Sequence, residues 1–185
     1  MWKQSINKEV SVIMGQKTFE YLEGSYKNLK TKGFMFAHLC MIFDVKQDGH
    51  CKARLVIGRH VLDLENIDAY SSVMKAIPAW LLMVIAKANN YTVWTGDIKS
   101  AYFYAECNIK VCTTVGPEFE LAGYTLIKDG SMAQVVKALY GLPSSGRNWH
   151  INLAGTLRML GFKPPRFDQD VFMRVNESCD GYNYI

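Results

Sequence analysis

The chain has 185 residues, of which 49% are hydrophobic and 21% charged, with a formal net charge of +4 and a pI near 8.7. These values exclude a disordered or polyionic chain and suit one ordinary domain or part of a larger one. Mild basicity permits a nucleic-acid partner without requiring one. The longest apolar run, residues 77–86, is broken by Pro78 and too short to span a bilayer, and Met1-Trp-Lys-Gln-Ser5 has no signal-peptide core. No membrane partner is expected. The five cysteines, Cys40, Cys51, Cys107, Cys112 and Cys179, lack zinc-site spacing and are expected as reduced thiols of an intracellular protein.

In chain order, Trp2, Ile6 and Val10 recur every fourth residue among polar neighbours, which predicts an amphipathic helix. Residues 24–32 carry Lys27, Lys30 and Lys32 and read as an exposed basic loop. Residues 34–46 and 51–57 are rich in strand formers around Asp48-Gly49, the marker of a β-hairpin. Lys52 and Arg54 alternate with Ala53 and Leu55 on the returning strand. Two cations on one face can clamp an anion, or can be the charged face of an edge strand. Residues 59–66 are expected as loop. Ser71 or Ser72 can cap a helix running to about Asn89, kinked at Pro78 or starting near it, with Leu81, Leu82, Ile85 and Ala86 packing beneath a sheet.

Residues 91–95 read as a buried strand that delivers Asp97, with Gly96 turning the backbone just before the acid. At that position Asp97 can be a metal ligand or a helix cap. A short helical turn over 101–105, a strand over 109–114, a turn at 116–119 and a hairpin pairing 124–127 with 133–136 follow. Residues 147–160 form a predicted helix with Trp149, Leu153, Leu157 and Leu160 on one face, stopped by Gly161. A strand over 168–175 and a turn at Asp180-Gly181 close the chain.

Fragments in register along the chain carry a resemblance. They are the opening helix with Trp2 and Lys8-Glu9-Val10, the hairpin with Phe43-Asp-Val-Lys46, Asp48-Gly49 and Lys52-Ala-Arg-Leu-Val56, Ser72-Val73 with the helix that follows, Gly96-Asp97-Ile-Lys-Ser-Ala-Tyr102, Gly116-Pro-Glu-Phe119, Val136-Lys-Ala-Leu-Tyr-Gly-Leu142, Trp149 with Gly161-Phe162, and Asp168-Gln-Asp-Val-Phe-Met-Arg174. Over nearly the whole chain they resemble the copia-type reverse transcriptase domain of long-terminal-repeat retrotransposons. The resemblance implies an α+β fold with right-hand polymerase-like fingers and partial palm, an antiparallel sheet packed on helices. Residues 1–33 would lead into a partial domain over 34–185, with the fingers hairpin at 34–57 and palm and fingers over 58–185.

The implied activity is RNA-directed DNA polymerisation. Asp97 and the backbone carbonyl of Ile98 would then bind the paired Mg²⁺ ions that clamp attacking and leaving oxygens. Lys52 and Arg54 would contact the triphosphate. Tyr102 would press on the sugar and exclude a 2′-hydroxyl, or else be a core aromatic of its helix. Gly141 and the loop Ser144-Ser145-Gly146 would lie near the nascent base pair, Pro143 and Ser144 standing where many relatives carry a basic residue and a glutamine. Implied partners are an RNA template, a DNA primer and dNTPs, with integrase upstream and RNase H downstream in a polyprotein. The implied location is a cytoplasmic virus-like particle or the nucleus. The family's Asp-Asp hairpin would follow Ile185, and Asp168 and Asp170 are expected in turn or edge roles instead of replacing it. As written, the chain is therefore expected to lack catalysis. The alternative reading is a catalytically dead retrotransposon remnant that binds nucleic acid weakly.

Overall fold

The computed structural model describes residues 1–58, 68–124, 130–178 and 181–185. It divides into two units, Met1–Tyr70 with Ser100–Trp149, and Ser71–Lys99 with His150–Ile185. The expected loop at 59–66, most of one strand of the 124–136 hairpin and Asp180 lie outside the described residues.

The first unit is built on a mixed sheet. Helix α1 (Trp2–Gly15) is followed by β1 (Phe19–Tyr21), α2 (Tyr26–Lys30), β2 (Met35–Phe36), β3 (Leu39–Val45) and β4 (Cys51–Ile57). After the chain returns, a 3-10 turn (Ala101–Tyr104) precedes β5 (Val111–Thr114), α4 (Pro117–Leu121) and β6 (Met132–Val135). The sheet order is β1-β6-β5-β2, with Phe19 opposite Val135 and Met35 opposite Val111. The α+β class holds, but β2 runs parallel to β5, so this sheet is not wholly antiparallel as expected.

The expected hairpin forms between β3 and β4, from Val45–Cys51 at the turn to Leu39–Ile57 at the far end. The strand-forming run that starts at Phe34 is split, however. Ala37 donates its N–H to Cys112 O in the main sheet, while His38 O accepts from Gly58 beside β4. The chain passes from one sheet to the other between these two residues. Two further expectations are corrected. The basic segment contains helix α2, and the Gly116 segment starts helix α4, with Pro117 in the first turn where its missing N–H costs nothing. Strand β6 pairs with β5 and β1.

The core is where the helical and strand periodicities meet. Val10 and Ile13 of α1 are fully buried against Phe19, Leu55, Phe103, Val111, Phe119, Val135 and Leu139. Phe19 meets Phe119 edge-on at 5.7 Å.

The outer edge of β4 is closed by side chains and a turn instead of another strand. Ser5 Oγ donates to Cys51 O (2.6 Å), Glu9 Oε1 accepts from Leu55 N–H (3.2 Å), and Tyr140 O accepts from Ile57 N–H (2.8 Å). The last contact needs Gly141, which has φ +91° and would drive any Cβ into the Ile57 carbonyl. Burial pushes the Glu9 carboxyl above the usual range, against the opposing pull of the Leu55 hydrogen bond and the Lys52 and Arg54 charges.

The second unit holds α3 (Ala76–Ala88), the later part of α5 (Ser145–Met159), β7 (Met173–Val175) and β8 (Tyr182–Tyr184). Gly161, at φ +84°, ends α5 as expected, and Arg174 donates to the free Leu160 carbonyl (3.0 Å). A small apolar cluster gathers Ala154, Leu157, Phe162 and Phe172. The expected strand over 168–175 is limited to β7, since Asp168–Asp170 forms a turn and takes part in a polar network.

Three expectations fail in this unit. Residues 91–95 form no strand, because no described residue offers a partner ladder, and the segment is exposed throughout. Neither Ser71 nor Ser72 caps α3. Its N-cap is Lys75, whose N–H donates to Asp168 Oδ2 (3.2 Å), and Pro78 sits in the first turn, so the helix starts near the proline. Nor does α3 lie buried beneath a sheet. It is apolar nearly all round, and Ile77, Trp80, Leu81 and Val84 are exposed.

Two outcomes follow from the β4 edge. Gly141→Ala is expected to destabilise the protein by more than about 1 kcal/mol, read as a lower urea midpoint, since both conformation and space forbid a Cβ. For Glu9, a folded pKa above the unfolded 4.5 means the native state holds the proton more tightly. That contribution is present below the unfolded pKa and is lost as pH rises through the folded value. Glu9→Gln removes this titration, so its stability relative to the unmodified protein is expected to improve between pH 4 and pH 7. Parallel denaturation curves at the two pH values test it.

Candidate active site

The residues expected at the site are divided between the units. Lys52, Arg54, Tyr102, Gly141 and Ser144 lie in the first, and Asp97 and Ile98 in the second.

In the first unit the pleat of β4 decides which side chains point outward. Ala53, Leu55 and Ile57 are buried, so Lys52 and Arg54 share the other face, Lys52 exposed and Arg54 half-buried. Lys52 stands opposite Asp44 and Arg54 opposite Ile42. Among the described residues neither cation is in a salt bridge, although Glu9 is near enough to feel both charges.

Tyr102 lies in the 3-10 turn, half-buried, its ring centroid 5.1 Å from that of Tyr140. Ser100 enters the turn at φ 55°, ψ 35°, a left-handed conformation uncommon for a residue with a side chain. Tyr140 is the common neighbour in this unit. Its carbonyl fixes the end of β4, its ring meets Tyr102 and Phe103, and Gly141 follows it against Ile57. Thus β4, the Tyr102 ring and the Gly141 turn are brought together. Ser144 is 1% exposed, and among the described residues its hydroxyl has no hydrogen-bond partner; Ser145 beside it donates to Leu139 O (2.7 Å).

In the second unit Asp97 and Ile98 are exposed on the segment preceding the 3-10 turn. Asp97 does not cap that turn, since the N-cap is Ser100. Among the described residues no group of three or more His, Cys, Asp or Glu side chains converges on a point where a metal ion could sit. One carboxylate and one carbonyl do not by themselves fit a pair of divalent ions, which need near-octahedral oxygen shells and several charges to balance them.

Sequence reasoning missed the supporting residues. Ser5 and Glu9 are four apart on α1, so a shared helical face was the available signal. Tyr140 lies in the fragment Val136-Lys-Ala-Leu-Tyr-Gly-Leu142, but no local signal gives its contacts with Ile57 and Tyr102. The acids Asp168 and Asp170 have a structural role beyond a turn. Buried Asp168 accepts N–H groups from Asp170 (2.9 Å) and Lys75, while Asp170 accepts from His150 Nε2 (2.6 Å) and from the Ser72 hydroxyl.

A family model described as reverse transcriptase (RNA-dependent DNA polymerase) matches residues 17–180. Among similar proteins of Saccharomyces cerevisiae, the transposon Ty1-DR4 Gag-Pol polyprotein is 29% identical over 152 residues, covering 80% of this chain and 9% of that protein. The Ty1-LR2 and TyH3 Gag-Pol polyproteins are likewise 29% identical over 152 residues, with 8% of each covered. The chain thus spans less than a tenth of these relatives. No solved structure matches. By the extent of the family match and by these relatives, the chain belongs to the reverse transcriptase family, in its copia-type retrotransposon branch.

Proposed function

We propose that this chain is the fingers and partial palm of an RNA-directed DNA polymerase, which extends a DNA primer on an RNA template as part of a retrotransposon polyprotein. The observation that carries this is the family match from residue 17 to 180. It is supported by the two outward cations on β4 and by the contact between Tyr102 and the Tyr140-Gly141 turn.

In this reading Lys52 and Arg54 bind the triphosphate of a dNTP. Arginine offers a planar fork of donors and lysine a compact charge. Tyr102, held in place by Tyr140, bars a 2′-hydroxyl. The Gly141 turn and the segment at Ser144 support the nascent base pair. Asp97 and the Ile98 carbonyl contribute part of the shell of a divalent metal, for which Mg²⁺ is the proposed ion. Since the described residues do not complete that shell, no catalytic step is assigned to them. The second reading is a catalytically dead retrotransposon remnant that binds nucleic acid weakly through its basic residues, in keeping with the net charge of +4. Integrase and RNase H as neighbours in the polyprotein, and a virus-like particle or the nucleus as its location, belong to the first reading.

Primer extension on an RNA template, with and without Mg²⁺, separates the two. The polymerase reading expects metal-dependent extension that Asp97→Ala lowers by roughly a hundredfold or more. Extension that survives this substitution removes Asp97 from the metal, and salt-sensitive RNA binding without any extension favours the second reading. Where extension occurs, Tyr102→Ala is expected to raise ribonucleotide incorporation relative to deoxynucleotides by about tenfold or more, measured as the ratio of kcat/KM values. An unchanged ratio leaves Tyr102 a packing residue.

A further inference from the structure

We infer that the Ser5–Glu9 face of helix α1 is a positioning element for the nucleotide-contact strand, holding the outer edge of β4 so that Lys52 and Arg54 present their charges in a fixed register. This rests on the proposed role of those two cations.

An antiparallel strand turns alternate backbone groups toward opposite edges. Gly58 N–H goes inward to His38 O, whereas Ile57 N–H goes outward to Tyr140 O. Cys51 C=O and Leu55 N–H face outward with Ile57, and α1 supplies a side-chain partner for each. An open edge would leave these groups to water and the strand free to slip. Lys52 and Arg54 lie between the two clamped residues, so slippage there would displace both charges. Leu55, the residue after Arg54, is fully buried, and Glu9 holds its amide. The matched family segment starts at residue 17, after α1 ends at Gly15.

The role of Glu9 is to accept a hydrogen bond, and Gln can do the same. The test compares dTTP affinity by titration calorimetry with hydrogen exchange at the Leu55 amide, for the unmodified chain, Glu9→Leu, Glu9→Gln, Ser5→Ala and the double variant Lys52→Ala/Arg54→Ala. We expect Glu9→Leu to expose the Leu55 amide and weaken dTTP about five- to tenfold, the worth of one lost hydrogen bond. Glu9→Gln should restore both, which a general loss of packing would not predict. Ser5→Ala, the milder change, should weaken dTTP in the same direction and stands in if Glu9→Leu fails to fold. Exposure of Leu55 with unchanged dTTP affinity overturns the inference, as does an amide that stays protected. If the double variant binds dTTP like the unmodified chain, or if neither binds, the triphosphate role of Lys52 and Arg54 fails first and the inference falls with it.

Discussion

Strand β4 has two edges, and only one of them faces another strand. The other must be satisfied by whatever the chain can bring to it, because backbone groups at a half-buried edge are costly to leave unpaired. Two elements distant in sequence do so with three contacts: α1 through Ser5 and Glu9, and the Tyr140-Gly141 turn through a carbonyl. Much of the first unit depends on that arrangement. Holding α1 at β4 puts Val10 and Ile13 into the core, and the close approach at Gly141 brings the Tyr140 ring to Tyr102. A hairpin, a helix and the turn that carries Tyr102 are thus linked through the contacts at this one edge.

The second unit is held by different means. Among the described residues its apolar cluster has four buried members, and a carboxylate network does what a larger core does in the first unit. Asp168 is 6% exposed, a position that would be prohibitive for an unpaired carboxylate. Two backbone N–H groups offset the lost hydration, and one of them, from Lys75, starts helix α3. Asp170 joins Ser72 to His150. Distant segments are therefore tied by hydrogen bonds whose geometry is directional, where apolar packing alone would be permissive.

The parts of this structure legible in the sequence are those governed by short-range rules. Helices α1 and α5 follow from apolar spacing, Gly161 from its freedom at positive φ, and the β3–β4 hairpin from Asp48-Gly49. What failed depends on partners. Residues 91–95 have strand-forming side chains, but propensity describes fitness for a pleated surface and cannot supply the neighbouring strand. The run from Phe34 looks continuous and yet serves two sheets, since the switch between Ala37 and His38 is decided by Cys112 and Gly58. Ser72 has the chemistry of a cap, but a buried carboxylate from far along the chain occupies the helix start. At the site, residue types were legible through motif resemblance. Glu9 and Tyr140 lie in fragments of the same resemblance, but the contacts by which they support the site were not legible, because each acts across a long stretch of sequence.

The division of the expected site between two units has a chemical consequence. Lys52, Arg54 and Tyr102 are oriented by contacts within the first unit: a strand pleat, an edge clamp and a ring pair. Asp97 has no such support in the second; it is exposed on an unpaired segment, and no hydrogen bond or ion pair holds it among the described residues. A hydrated carboxylate costs little to leave free, but a lone one holds Mg²⁺ weakly, since that ion gives up its water reluctantly and needs more than one negative ligand. On the proposed reading, binding of a triphosphate and activation of its phosphorus would rest on different parts of this chain. The first would depend on the geometry of one hairpin and one helix, and the second on further oxygen ligands reaching Asp97.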